Sequence, residues 1–212
     1  MEGLSLKPVR MALAVLGPLV AGSLLIATTG VTLLPVTLAL GPCLEDYSSP
    51  STYAHRASPL AAARFPIAAG AVELCYGRPS ARGRTVYRGL VPWGRLWQTG
   101  ANEPTRLHTQ VPILVAGIRP PPGRFSLYSR PGPESWILFA SRSTLHWGND
   151  ISSTVRAKEI GQGVADAEPL GAFVETFTIT PESSGGSVLL HLDWERTRVT
   201  LPVTAVPAGG QP

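Results

Sequence analysis

The chain has 212 residues, 44% of them apolar, with 22 glycines and 21 prolines, a length that suits a signal or anchor plus one globular domain. The formal net charge is +4, but 16 of the 18 basic residues are arginines and no basic block or basic-aromatic motif is present, so we do not expect nucleic acid as a partner. The four histidines lack metal-ligand spacing and no glycine-rich phosphate loop occurs, so we predict neither a metal nor a cofactor.

A long stretch near the N-terminus contains no charged residue. Residues 11–40 contain no charged side chain, which exceeds the roughly 7–15 residues of a signal-peptide core and is ample for a membrane-spanning helix of about 20. Lys7 and Arg10 precede it, so the positive-inside rule places residues 1–10 in the cytoplasm and the remainder in the periplasm or outside the cell. We predict a membrane anchor; cleavage and secretion are the alternative.

Residues 41–71 are rich in Ser, Pro and Ala without sustained periodicity, which indicates a linker or a lead-in lying on the domain surface. Cys43 and Cys75 are the only cysteines of the chain. In an exported protein they can form one disulfide. The alternative is two unpaired thiols that act as small apolar residues.

The segment from residue 72 to residue 206 has the pattern of an all-β domain, and residues 207–212 are predicted to form a flexible tail. Short apolar or alternating runs are separated by Pro/Gly turns, which favours an antiparallel β-sandwich or a jelly-roll-like fold. A hairpin loop is predicted at residues 181–186 and a second, short hairpin link at residues 195–197. The predicted strands are 71–76, 105–115, 123–130, 135–141, 171–180, 187–194 and 197–206.

Unusual residues concentrate between Arg78 and Glu103. The segment combines five arginines, two tryptophans and a Gly-Ala-Asn-Glu run. One interpretation is a polar, partly aromatic ligand pocket, because guanidinium groups bind oxyanions and indole faces stack on rings. The other is a loop that covers one end of the domain, in which Trp93 and Trp97 fill the core and Arg84 pairs with Glu103.

Standard catalytic patterns are missing from the chain. A hydrolase would have to use Glu103 as its acid or base. Its second carboxylate would be Glu73, Glu175 or Asp193, whose separation from Glu103 the sequence does not show. A second polar-aromatic cluster, His146-Trp147-Gly148-Asn149-Asp150, is interpreted as a turn, since Asn and Asp are turn formers.

A series of short motifs follows in a fixed order along the chain. They are Arg78-Pro79, Gly83-Arg84, Gly89-Leu90-Val91-Pro92, Trp97, Thr99-Gly100-Ala101-Asn102-Glu103, Gly123 with Phe125-Ser126-Leu127, Trp136, Trp147-Gly148 and Trp194-Glu195. With this series the chain resembles a known bacterial family, domain of unknown function 2911, over about residues 72–203. The family usually has Arg at the position of Gln98, Tyr at Phe125 and Asn near Ala140-Ser141. The resemblance implies an all-β domain, strengthens interest in Arg84, Trp97, Asn102 and Glu103, and brings no known reaction.

The sequence therefore favours a membrane-tethered domain, outside the cytoplasm, that binds a small polar or carbohydrate-like ligand or an envelope partner. The alternatives are a hydrolase acting on envelope glycans or peptides and a purely structural module. The candidate ligand-binding residues are Arg78, Arg84, Trp97, Asn102 and Glu103.

Overall fold

The structure, a computed structural model, describes residue 43 and residues 56–207. The predicted cytoplasmic N-terminus, the anchor at residues 11–40 and the C-terminal tail beyond residue 207 lie outside these residues. Within the described part of the chain, no helix has the length and apolar character needed to cross a bilayer.

Eight strands and one short helix make up the fold of the described residues. They are β1 (Leu60–Ile67), β2 (Gly70–Gly77), β3 (Thr105–Thr109), β4 (Ile113–Val115), β5 (Gly123–Pro131), β6 (Ser135–Ser141), α1 (Ser153–Arg156), β7 (Glu159–Ser184) and β8 (Ser187–Ala205).

All neighbouring strands pair antiparallel, in the order β1-β2-β3-β5-β6-β7-β8-β4. The predicted all-β, antiparallel class is confirmed. The finer prediction of two face-packed sheets is not seen, because one sheet curls into a half-barrel. The concave side encloses the main core, which includes Trp97, Trp136, Phe177 and Trp194.

Strand β1 lies inside the segment that the sequence pattern assigned to a linker. Its buried residues alternate, with Ala63, Phe65 and Ile67 facing the core, but Pro66 argued against a strand. Because β1 is an edge strand, a residue without a backbone N–H is tolerated there.

The predicted strand 105–115 is in fact two separate strands, β3 in the interior of the sheet and β4 at its edge. β3 pairs with β2 and β5, whereas β4 pairs with β8 at the far edge. The chain crosses between them at residues 110–112, where the Thr109 hydroxyl donates to the Val111 carbonyl.

The hairpin predicted at residues 181–186 is confirmed in a tighter form. Its turn is Gly185-Gly186, with φ angles of 53° and 86°, the conformation that a two-residue hairpin requires and that glycine adopts without strain.

The hairpin predicted at residues 195–197 is wrong. β8 runs continuously from Ser187 to Ala205, and its pairing with β7 shifts register between Pro169 and Thr178. Glu195 has a φ of 56°, so a local irregularity rather than a chain reversal separates the two apolar runs.

Candidate functional site

The connection between β2 and β3, residues 78–104, contains all five candidate ligand-binding residues. It has no regular secondary structure beyond isolated bridges, and its backbone groups are satisfied by neighbouring strands. Ala81 N–H donates to the Glu175 carbonyl at 2.8 Å, while Trp97 and Ser129 exchange two backbone hydrogen bonds of 2.8 Å. A long loop with its polar backbone paired in this way is an ordered part of the domain.

Arg78 and Arg84 both make hydrogen bonds within the protein. Arg78 Nε donates to the Phe177 carbonyl at 3.2 Å and Nη2 donates to the Thr178 hydroxyl at 2.9 Å, so this side chain joins the end of β2 to β7. Arg84 is exposed and donates to the carbonyls of Ala81 and Ser80 at 2.9 and 3.0 Å. It stabilises the turn in which it lies.

Trp97 belongs to the core. Its side chain is only 5% exposed, and its ring lies 5.3 Å from Phe177, 5.6 Å from Trp136 and 5.8 Å from Trp194, centroid to centroid. The indole Nε1 donates to the Gly100 carbonyl at 3.1 Å. Its aromatic faces are therefore in contact with other side chains and are not available for stacking on a ligand.

The glycines of this region allow two backbones to approach closely. A Cβ atom placed on Gly77 would lie 2.0 Å from the Ala101 carbonyl oxygen, and one on Gly100 would lie 2.8 Å from the Thr105 hydroxyl oxygen. Asn102 follows with a φ of 66°, and its amide donates to the Ser58 carbonyl at 3.1 Å. The Gly-Ala-Asn part of the motif thus seats the loop against the end of β2.

Glu103 forms a buried ion pair with Arg56. Its oxygens lie 2.5 and 2.6 Å from Arg56 Nη1, and the two side chains are 2% and 13% exposed. The expected pairing of Arg84 with Glu103 is not found, because Arg84 lies on the turn at residues 81–84. We call residues 97–103 the braced segment.

The second polar-aromatic cluster lies beside the braced segment. The Asn149 side-chain oxygen accepts a 3.0 Å hydrogen bond from Gln98 N–H, and a Cβ on Gly148 would lie 3.0 Å from Gln98 Oε1 and 3.2 Å from the Asn102 carbonyl oxygen. Burial of the imidazole lowers the pKa of His146 from its usual value, and the Asp150 carboxylate opposes that shift. The turn interpreted from the sequence therefore also packs on the loop of interest.

A cavity of about 560 Å³ borders residues 85–96 of the connection. We call residues 85–96 the cavity segment. The cavity itself is called the Trp93 cavity. Trp93 stacks on the buried Tyr87 with a centroid separation of 4.8 Å and an interplanar angle of 8°. Burial, followed by the nearby carboxylates of Glu195 and Asp193, raises the pKa of Tyr87 well above its usual range, so its hydroxyl stays protonated. The cavity is lined by Thr85, Tyr87, Arg88, Trp93, Pro133, Glu195 and Thr197.

A second cavity, of about 430 Å³, also borders the cavity segment. It is lined by Gly94, Arg95, Leu96 and Arg130. Neither of these two cavities includes Arg78, Arg84, Trp97, Asn102 or Glu103 among its lining residues. The candidate residues and the open space are therefore on different parts of the same connection.

A cluster with metal-ligand chemistry is formed by Cys43, Glu73 and Cys75, which are all buried. The two cysteines are joined, with a 2.02 Å S–S bond and a Cα–Cα distance of 5.2 Å, so the disulfide is the alternative that the structure contains. Disulfide sulfurs are not the thiolates that metal ions bind, and Glu73 is held by Arg64 at 2.6 Å. The cluster is a covalent link between residue 43 and β2.

Sequence reasoning missed two groups of residues. Arg56 and Ser58, the partners of Glu103 and Asn102, lie in a stretch interpreted as linker, and nothing in their local pattern distinguishes them. Arg88 and Glu195, which line the Trp93 cavity, come from sequence positions more than one hundred residues apart. The fold places both residues on the wall of one cavity.

Comparison with known proteins gives one result. A sequence model of the family described as "Protein of unknown function (DUF2911)" matches residues 58–203, which begins just before β1 and ends within β8. No curated protein and no solved structure matches this chain. Because the match covers most of the chain and agrees with the order of its motifs, the protein belongs to the family of unknown function DUF2911.

Proposed function

We propose that the protein binds a small polar, ring-containing ligand of carbohydrate type in the Trp93 cavity. The supporting observation is the environment of Trp93. One face of its indole is covered by the parallel Tyr87 ring at 4.8 Å, and the residue also lines a cavity of about 560 Å³. A cavity of this volume is in the range, about 300–1,000 Å³, typical of small-molecule sites.

The lining of the cavity suits a sugar ring. An indole face offers a flat apolar surface for the C–H face of the ring. Arg88 provides donors, Glu195 provides acceptors, and the hydroxyls of Thr85 and Thr197 provide both. This combination of an aromatic platform with polar groups around it recognises hydroxyl-bearing rings better than purely apolar molecules.

We further propose that the domain works outside the cytoplasm, tethered by residues 11–40. The Cys43–Cys75 disulfide supports this placement, because disulfides persist in oxidising compartments and are rare in the cytosol. The ligand would then be a glycan or a related molecule of the envelope.

The contacts of the carboxylates favour binding over hydrolysis. Glu103 is enclosed and occupied by Arg56, which supports a bracing role rather than one as acid or base. Glu195 is the single carboxylate among the residues that line the Trp93 cavity, whereas glycoside hydrolysis generally uses two.

The experiment is a calorimetric titration of the protein with soluble oligosaccharides of neutral hexoses and N-acetylhexosamines. The wild type is expected to show saturable binding. Trp93→Ala and Glu195→Gln are each expected to weaken binding about tenfold or more, since each removes contacts worth roughly 1.5 kcal/mol. Trp147→Ala is the matched control, because Trp147 is a tryptophan that is 55% exposed and does not line the cavity.

Two results would contradict the proposal. Equal loss of binding in Trp147→Ala would move the site to the 146–150 cluster. Absence of saturable binding by the folded wild type across these saccharides would leave the structural-module interpretation as the better one.

A further inference from the structure

The second cavity is lined by two arginines that come from different parts of the fold. Arg95 belongs to the cavity segment, and Arg130 lies near the end of β5. The two residues share a space of about 430 Å³ with Gly94 and Leu96. Like charges repel, so their placement on one cavity requires either a counter-ion or a structural reason.

Local contacts hold both arginines at this cavity. Gly94, with a φ of 73°, donates its N–H to the Pro131 carbonyl at 2.8 Å, which fastens the residue before Arg95 to the residue after Arg130. The Arg130 guanidinium lies over the Phe139 ring, 5.6 Å from its centroid. Such stacking orients the guanidinium plane without using its N–H donors.

Neither guanidinium is neutralised by another side chain in the described part of the protein. Among residues 43 and 56–207, Arg95 and Arg130 form no ion pair and no side-chain hydrogen bond. Two other arginines of the domain do have carboxylate partners. Arg56 pairs with Glu103 and Arg198 pairs with Asp193, at 2.5 and 2.7 Å.

We propose that this cavity is a binding site for a phosphate-type oxyanion. Two guanidinium forks present more donors than a carboxylate, with two oxygens, can accept, and they match the three or more oxygens and double charge of a phosphate monoester. The half-buried Leu96 forms the apolar part of the cavity wall. This site is separate from the Trp93 cavity and does not depend on the function proposed for it.

The test uses the full chain and inorganic phosphate as the probe, in a low-salt, phosphate-free buffer because salt screens exposed charges. Wild-type protein is expected to bind phosphate saturably in a calorimetric titration. Arg95→Ala and Arg130→Ala are each expected to weaken binding at least tenfold, and Arg130→Lys to restore part of it. Arg142→Ala is the matched control, since Arg142 is an exposed arginine that stacks over Phe125 at 5.9 Å and lies outside the cavity lining.

A second arm distinguishes the source of the phosphate group. The same proteins are titrated calorimetrically with a soluble short-chain phosphatidic acid and, as the control, with a short-chain phosphatidylcholine. Binding that requires phosphatidic acid and both arginines, without uptake of free phosphate, assigns the site to a lipid headgroup. The proposal is overturned if neither probe binds, or if Arg95→Ala and Arg130→Ala bind as well as the wild type while their unfolding midpoints show that all variants are folded.

Discussion

The braced segment (residues 97–103) and the cavity segment (residues 85–96) are consecutive in sequence and each contains tryptophan and glycine, yet their charged side chains are buried to different extents. Glu103 and Trp97 of the braced segment are 2% and 5% exposed, and each is joined to another part of the domain. In the cavity segment, Arg88 and Arg95 are exposed and border open space.

This difference teaches that a concentration of Arg, Trp, Gly and acidic residues is ambiguous by itself. Burial of a charged or aromatic side chain requires partners, and the braced segment finds them elsewhere in the domain, as Glu103 does with Arg56. The cavity segment leaves Arg88 and Arg95 facing solvent, where they are available to a ligand. The following predictions test whether the division between the two segments holds.

The largest effect is expected at the Arg56–Glu103 ion pair. Glu103→Ala removes the carboxylate that pairs with the Arg56 charge in a nearly closed environment, which should lower the free energy of unfolding by about 3–5 kcal/mol. For a domain of this size the unfolding midpoint should fall by roughly 6–20 °C. Arg156→Ala is the control, because Arg156 pairs with Glu159 at the surface and is 48% exposed, and the loss of stability there should be much smaller.

The next effect is steric. Gly77→Ala places a Cβ atom 2.0 Å from the Ala101 carbonyl oxygen and should destabilise the domain by about 1–3 kcal/mol through displacement of the braced segment. Gly171→Ala is the control, because nothing lies within 4 Å of a Cβ there. Equal denaturation midpoints for the two variants would show that the loop is not seated tightly against β2.

A smaller effect is expected from the backbone of Asn102, whose φ is 66°. Both Asn102→Gly and Asn102→Ala remove the hydrogen bond to Ser58, but only alanine meets the steric penalty of this conformation. The alanine variant should therefore be about 1–2 kcal/mol less stable than the glycine variant in urea unfolding. The reverse order would mean that the segment relaxes to another conformation once the amide is lost.

The smallest effect is expected in the cavity segment. Arg88→Ala and Arg95→Ala remove exposed side chains that form no ion pair within the described part of the chain, so each should change the free energy of unfolding by no more than about 0.5 kcal/mol. A drop of several kcal/mol in either variant would make the cavity segment a brace as well and remove the contrast.

Much of the fold could be predicted from the sequence, because strand periodicity and Gly/Pro turns are local signals. The runs at residues 71–76, 123–130 and 135–141 correspond to β2, β5 and β6. Two of the predictions made from the sequence failed because of contacts in the tertiary structure. Pro66 is acceptable only because β1 is an edge strand, and the break at Glu195 is an irregularity within β8 because β7 continues to pair on both sides of it.

The candidate site was harder to predict because it depends on partners distant in sequence. The motif residues Trp97, Asn102 and Glu103 attract attention through their type, but their roles follow from Trp136, Ser58 and Arg56. Likewise, Trp93 differs from Trp97 only in which neighbours surround its ring. Residue type indicates where such contacts concentrate, and the fold decides which of these side chains are buried against partners.

The most direct test is a double-mutant cycle on Arg56 and Glu103, with the free energy of unfolding measured for the wild type, Arg56→Ala, Glu103→Ala and the double variant. If Glu103 is part of a brace, each single variant should be strongly destabilised, and the double variant should be more stable than additivity predicts by about 1–3 kcal/mol. A coupling energy near zero, with Glu103→Ala as stable as the wild type, would contradict the account and return Glu103 to the candidates for ligand binding or catalysis.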